Sequence, residues 1–187
     1  MEHTLLHALH QVGHNVQHLS HGIEKVSEGN LEISDENGNM VMKNISGLTR
    51  DMRILVDASG TPLLTLREKS MSLHSRWQVF RGESTEQCDL LYTVKKSSLV
   101  QVKVKLDVFM SHNKEEKRCD FRVKGGSYKR SCVVYAGESD AIVAQVEPEG
   151  KINYSVTPYP NVDHAFIHSL LFIFYSIDGR GYSAGGR

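Results

Sequence analysis

The chain has 187 residues, 40% of them hydrophobic, and its 22 basic side chains balance its 22 acidic ones. This length and composition fit one globular domain, and the balance excludes a protein whose whole surface is built for nucleic acid or membrane. Three cysteines without metal-ligand spacing, and an N-terminus without a continuous apolar run, predict reduced thiols and a protein that is cytoplasmic, peripheral at the plasma membrane or nuclear, and not secreted.

Residues 1–23 read as an amphipathic helix inside an N-terminal segment assigned to 1–30. Leu5, Leu9, Val12, Val16, Leu19 and Ile23 recur at spacings of three and four, and His3, His7, His10, His14, His18 and His21 form a second stripe on the opposite face. The imidazole pairs have metal-ligand spacing, but no carboxylate is placed to orient the rings, so a solvated polar face is the favoured reading and no metal is expected.

From Leu31 the period changes to two. Leu31–Ile33 and Met40–Met42 flank Asn37-Gly38, a strong hairpin signal. Arg53–Asp57 and Pro62–Arg67 flank a turn at Asp57-Ala-Ser-Gly60. Strands are then expected at His74–Arg81, Leu90–Val94, Val100–Phe109, Cys119–Lys124, Tyr128–Tyr135, Ala141–Val146 and Ile152–Val156. Within Val100–Phe109 the valines and Leu106 alternate with Lys103, Lys105 and Asp107, so one face is apolar and the other charged.

The series ends in a different pattern. Between Ala165 and Ile177 only His168, Ser169 and Ser176 are not apolar. Such a helix must be enclosed, and thirteen residues rise only about 20 Å, too short for a bilayer. Pro158 and Pro160 precede it, Asp163 is a candidate N-cap, and Gly179 is the expected stop, leaving 179–187 as a Gly-rich tail. Full burial of its eight large side chains, among them Phe166, Ile167, Leu170, Leu171, Ile173 and Phe174, would contribute about 12–24 kcal/mol as an upper bound. A sheet rolled into a barrel around this helix satisfies the sheet's edges and the helix's apolar surface together.

At this point the residues carry a resemblance. His74-Ser-Arg-Trp-Gln-Val-Phe-Arg-Gly82, Tyr92-Thr-Val-Lys-Lys-Ser-Ser-Leu-Val-Gln-Val-Lys-Val-Lys-Leu-Asp-Val-Phe109, Ser131-Cys-Val-Val-Tyr-Ala-Gly-Glu-Ser-Asp-Ala-Ile-Val-Ala-Gln145 and Tyr159-Pro-Asn-Val-Asp-His-Ala-Phe-Ile167 resemble the plant LURP-one-related proteins. The likeness spans roughly 31–173, within a domain set at 31–178. It implies a mainly β, tubby C-terminal-like fold: a twelve-stranded antiparallel barrel around a central hydrophobic helix. It also implies kinship with phospholipid scramblases and tubby-like membrane-tethered transcription regulators, and for some members a link to plant defence. The chain departs from the family pattern at both ends. The histidine-striped segment stands where the family has further strand sequence; if opening strands are missing there, the barrel has a gap, and the leucine face of 5–23 would cover it. The family's acidic ending of the central helix is also missing.

No catalytic set emerges. Gly181-Tyr-Ser-Ala-Gly185 has the spacing of a nucleophile elbow without its strand–turn–helix setting, and no phosphate loop, HExxH or CxxC occurs. His164 and His168 are read as histidines satisfied within the core. Half of the basic residues fall between Lys95 and Arg130, where eleven face four acids. There Lys103, Lys105, Arg122 and Lys124 lie on outward faces and form the candidate site for anionic lipid head groups, with phosphoinositides suggested by the tubby-like resemblance. The expectation is a non-enzymatic protein without cofactor or transmembrane segment, whose partners are an anionic membrane surface and an unidentified protein. The alternative is a soluble scaffold whose charges serve solubility, and a scramblase-like lipid protein is disfavoured.

Overall fold

The computed structural model describes residues 24–27, 32–35, 37–49, 51–69, 75–97, 103–126, 131–149, 153–158 and 162–183. Twelve strands run in chain order: β1 (Glu24–Ser27), β2 (Glu32–Ser34), β3 (Met40–Ser46), β4 (Met52–Asp57), β5 (Pro62–Lys69), β6 (Arg76–Arg81), β7 (Leu90–Lys96), β8 (Lys105–Met110), β9 (Phe121–Gly125), β10 (Cys132–Ala136), β11 (Ile142–Glu149) and β12 (Asn153–Pro158). One helix follows, α1 (His164–Ser183). Strands β2 to β12 pair antiparallel, each with its chain neighbours, as eleven contiguous strands. β1 then pairs with β12 on one side and with β2 on the other, so the hydrogen-bonded circuit closes through this one short strand.

The turns form where the sequence places them, for a local reason. At the β2–β3 hairpin the Asp35 carboxylate accepts the backbone N–H groups of Asn37 (2.9 Å) and Asn39 (2.8 Å), and Gly38 takes φ +83. The β4–β5 turn repeats the device: Asp57 accepts Ser59 and Thr61 N–H at 2.8 Å each, with Gly60 at φ +85. Bulges at Ile33/Ser34, Leu55/Val56, Val79/Phe80 and Val134/Tyr135 add the local bend that a closed sheet needs.

α1 fills the interior. Phe166, Ile167, Leu170, Leu171 and Ile173 have no exposed surface, and Phe174 has 2%. Phe166 packs between Tyr92 and Phe121, with ring centroids 5.2 and 4.9 Å away, and Trp77 meets Phe172 edge-on at 5.8 Å. Gly125 is the close-approach point: a Cβ there would stand 3.2 Å from the Val104 carbonyl oxygen and 3.5 Å from Phe174. The polar groups inside are organised too. Ser169 donates its one proton to the Phe166 carbonyl (2.6 Å), so the Tyr92 hydroxyl donates to Ser169. At the helix start, Asp163 caps: its carboxylate accepts the Phe166 N–H at 2.9 Å.

Several boundaries differ from the sequence reading. Glu24–Ser27, inside the N-terminal segment set at 1–30, is a strand, and it closes the hydrogen-bonded circuit. Isolated in sequence, Glu-Lys-Val-Ser shows almost no alternation; pairing to both neighbours, not its own pattern, makes it a strand. Residues 1–23 lie outside the described set. α1 does not stop at Gly179 but runs to Ser183, because glycine only weakens a helix interior by about 1 kcal/mol. β8 begins at Lys105 rather than at Val100, which leaves Lys103 in an exposed bend before the strand.

Candidate anionic-headgroup surface

The outward faces of β7 to β10 carry two adjacent cross-strand rows. In the first, Lys95 pairs in register with Asp107, Asp107 with Arg122, and Arg122 with Tyr135. In the second, Lys105 stands opposite Lys124, and Lys124 opposite Val133. Alternation thus brings the four sequence-predicted residues to one wall, but the structure divides them.

Arg122 is committed. Its Nε donates to Asp107 at 3.2 Å, and its terminal nitrogen reaches Glu138 at 3.4 Å and the Cys119 sulfur at 3.4 Å; the side chain is 16% exposed. The Cys119 thiol is pushed above its ordinary range by burial, although the Arg122 charge pulls the other way. Lys95 is committed as well: it pairs with Glu116, whose two carboxylate oxygens also accept from Arg76 at 2.7 and 2.6 Å, and it stands 5.1 Å over the Phe109 ring. Glu116 adopts φ +49, an unusual backbone for a side-chain-bearing residue, held by these two cations. Asp120, one of the four acids in this stretch, accepts the Met110 N–H and the Asn113 amide at 2.8 Å each and ties down the β8–β9 connection.

Lys105 and Lys124 remain. Neither forms an ion pair with an acid among the described residues, and Lys124 lies 4.5 Å over the Tyr135 ring. Lys103 is exposed two residues before Lys105. Like charges directly opposite on a sheet repel, and an anion placed between them removes the repulsion. The surface is therefore a lysine pair beside a neutralised row, with an aromatic ring fixing one ammonium. Sequence reasoning missed the Glu116 hub and Tyr135. They depend on partners 40 and 11 positions away, Arg76 and Lys124, which alternation alone cannot reveal.

Elsewhere the chemistry is sparse. His168 is fully buried on α1. Among the described residues no three His, Cys, Asp or Glu side chains gather to hold a metal ion, and no helix is long and apolar enough to cross a membrane.

The sequence model of the LURP-one-related family matches residues 19–175. The chain belongs to the LURP-one-related family. Its match begins ahead of β1, inside the segment that the sequence reading set apart from the domain. This LURP-one-related chain is 59% identical over 161 residues to Protein LURP-one-related 15 of Arabidopsis thaliana, covering 80% of this chain and 74% of that protein. It is 53% identical over 138 residues to Protein LURP1 of the same plant, covering 70% and 67%. The crystal structure of an Arabidopsis thaliana protein, 52% identical, superposes with a TM-score of 0.69 over 85% of this chain and 93% of that one. None of these names states a catalytic activity.

Proposed function

We propose that this LURP-one-related chain is a non-enzymatic, tubby-like regulatory module that binds anionic lipid head groups, phosphoinositides above all, at the periphery of a membrane on its cytoplasmic side. The observation that carries this reading is the Lys105–Lys124 pair, two cations opposite each other on an outer wall with no acid partner among the described residues. Lys103 adds a third charge from the adjoining bend. Arg122 takes the role of a brace: its tie to Asp107 joins β9 to β8 in the register that juxtaposes the lysines, and its tie to Glu138 reaches the β10–β11 turn. Each lysine near an anionic surface contributes about 1 kcal/mol. Kinship with phospholipid scramblases, kinship with tubby-like membrane-tethered regulators and a role in plant defence belong to the same reading, supported by the family resemblance.

A second reading, a soluble scaffold for a protein partner, draws on the neutralisation of Arg122, Lys95 and Arg76, which leaves less net charge on the wall than the sequence promises. Vesicle sedimentation separates the two. The lipid reading expects binding to phosphoinositide-containing vesicles that weakens as salt rises from low to physiological concentration. Absence of binding at both salt concentrations would leave the scaffold.

A further inference from the structure

A second face of the barrel is apolar without belonging to its core. Along β4, β5 and β6 the side chains of Leu55, Leu64, Leu66 and Val79 join the interior cluster. Alternation therefore turns Ile54, Val56, Thr65 and Phe80 outward, and the register agrees: Ile45 pairs with Ile54, Ile54 with Thr65, and Thr65 with Phe80. Outward residues on a wall should meet water. Across that row, however, exposure falls from 40% at Ile45 to 5% at Ile54, 0% at Thr65 and 2% at Phe80, and Val56 beside it has 1%. The Thr65 hydroxyl donates to the Gly82 carbonyl at 2.7 Å, so its polar atom is satisfied and its methyl group joins the apolar surface. Every described strand lies in the wall, α1 lies inside it, and the short 3-10 helix Gln87–Asp89 between β6 and β7 buries none of its own residues.

We propose that residues 5–23 lie on this face as an amphipathic helix, with Leu9, Val12, Val16 and Leu19 seated on Ile54, Val56, Thr65 and Phe80. Three observations favour this occupant. The segment enters β1 at Glu24, and β1 is five interstrand spacings from β6, about 24 Å at 4.8 Å each. Nineteen helical residues span about 28 Å, so the segment reaches across the strip without a linker. Its stripe from Leu5 to Ile23 at spacings of four and three is one residue-wide apolar seam, suited to a face only three strands broad. With the circuit closed by β1, the leucine face has no gap in the wall to fill, and the outer strip is the apolar surface within its reach. Docked this way, the six histidines of the opposite stripe face solvent.

Hydrogen–deuterium exchange on the full chain tests the docking. The amides of 5–23 should exchange at least about tenfold more slowly than an unstructured segment. Leu9→Asp/Val16→Asp should abolish that protection, whereas His10→Asp/His14→Asp on the other stripe should preserve it. Thr65→Lys, which places a charge on the wall instead of the segment, should also release 5–23 while β7–β9 stay protected, showing that the barrel itself is folded. Unprotected 5–23 in the parent chain would overturn the proposal. So would protection that survives Thr65→Lys in a folded barrel, protection that grows with protein concentration (a second copy as occupant), or protection that arises only with anionic vesicles (a lipid surface).

Discussion

Lys105 on β8 and Lys124 on β9 are direct cross-strand partners, two ammonium groups on neighbouring strands where an acid–base pair would be the stabilising choice. Like charges so placed cost a few tenths of a kcal/mol to about 1 kcal/mol. Lys105→Glu is expected to convert repulsion to attraction while leaving the Lys124–Tyr135 contact intact. Its unfolding midpoint should rise by about 1–3 °C for a chain of this size, while vesicle binding falls. Thermal unfolding checks this, and a lowered midpoint would mean that the two charges do not repel.

Arg122 predicts the opposite balance. Its side chain is mostly buried against Asp107, and truncation leaves that carboxylate short of a charged donor. Arg122→Ala should cost about 2 kcal/mol in urea unfolding, in the range for hydrogen bonds to charged groups. Lys124→Ala should cost less than 1 kcal/mol, the size of a cation–π contact, yet impair vesicle binding more than Arg122→Ala does.

The Asp163 cap gives a pH prediction. Burial raises the carboxyl's pKa above its ordinary value, against the Phe166 N–H and the neighbouring His164 and His168, which lower it. The folded chain thus holds this proton more tightly than the unfolded one. The resulting stability is full below the unfolded value near pH 4 and is lost as pH rises through the folded value. Asp163→Asn keeps a capping oxygen and does not titrate. The stability of Asp163→Asn relative to the parent should therefore grow as pH rises from about 4 and then level off. Urea unfolding across that range reads it, and a difference that shrinks with pH would contradict the burial argument.

Thiol accessibility is a simpler check. Cys88 is exposed, whereas Cys119 and Cys132 are buried and unpaired by any disulfide. One thiol should react rapidly with a disulfide reagent in the native chain, Cys88→Ser should remove it, and denaturant should release the other two. Rapid labelling of Cys119 would mean that the wall around Arg122 opens.

Much of this architecture is legible in the sequence because its causes are local. Asn37-Gly38 and Asp57-Ala-Ser-Gly60 carry their own turn chemistry, and Ala165–Ile177 is so evenly apolar that only an enclosed position suits it. What is not legible is non-local. Glu24–Ser27 becomes a strand only because β12 and β2 are both there to pair with it. The outward direction of Arg122 follows from alternation, but its partners Asp107 and Glu138 come from β8 and from the β10–β11 turn, so the sequence shows a charge where the structure holds a brace. Lys103 is placed on a strand by alternation and lies in a bend, since β8 starts two residues later.

The most direct measurement is vesicle binding at matched charge. Lys105→Ala/Lys124→Ala should weaken binding to phosphoinositide vesicles about 30-fold at low salt, from about 1 kcal/mol per lysine. Lys117→Ala/Arg118→Ala, which removes the same charge from the exposed β8–β9 connection, should weaken it less than about threefold. Equal losses in the two variants, or undiminished binding in the first, would contradict the lysine pair as the site.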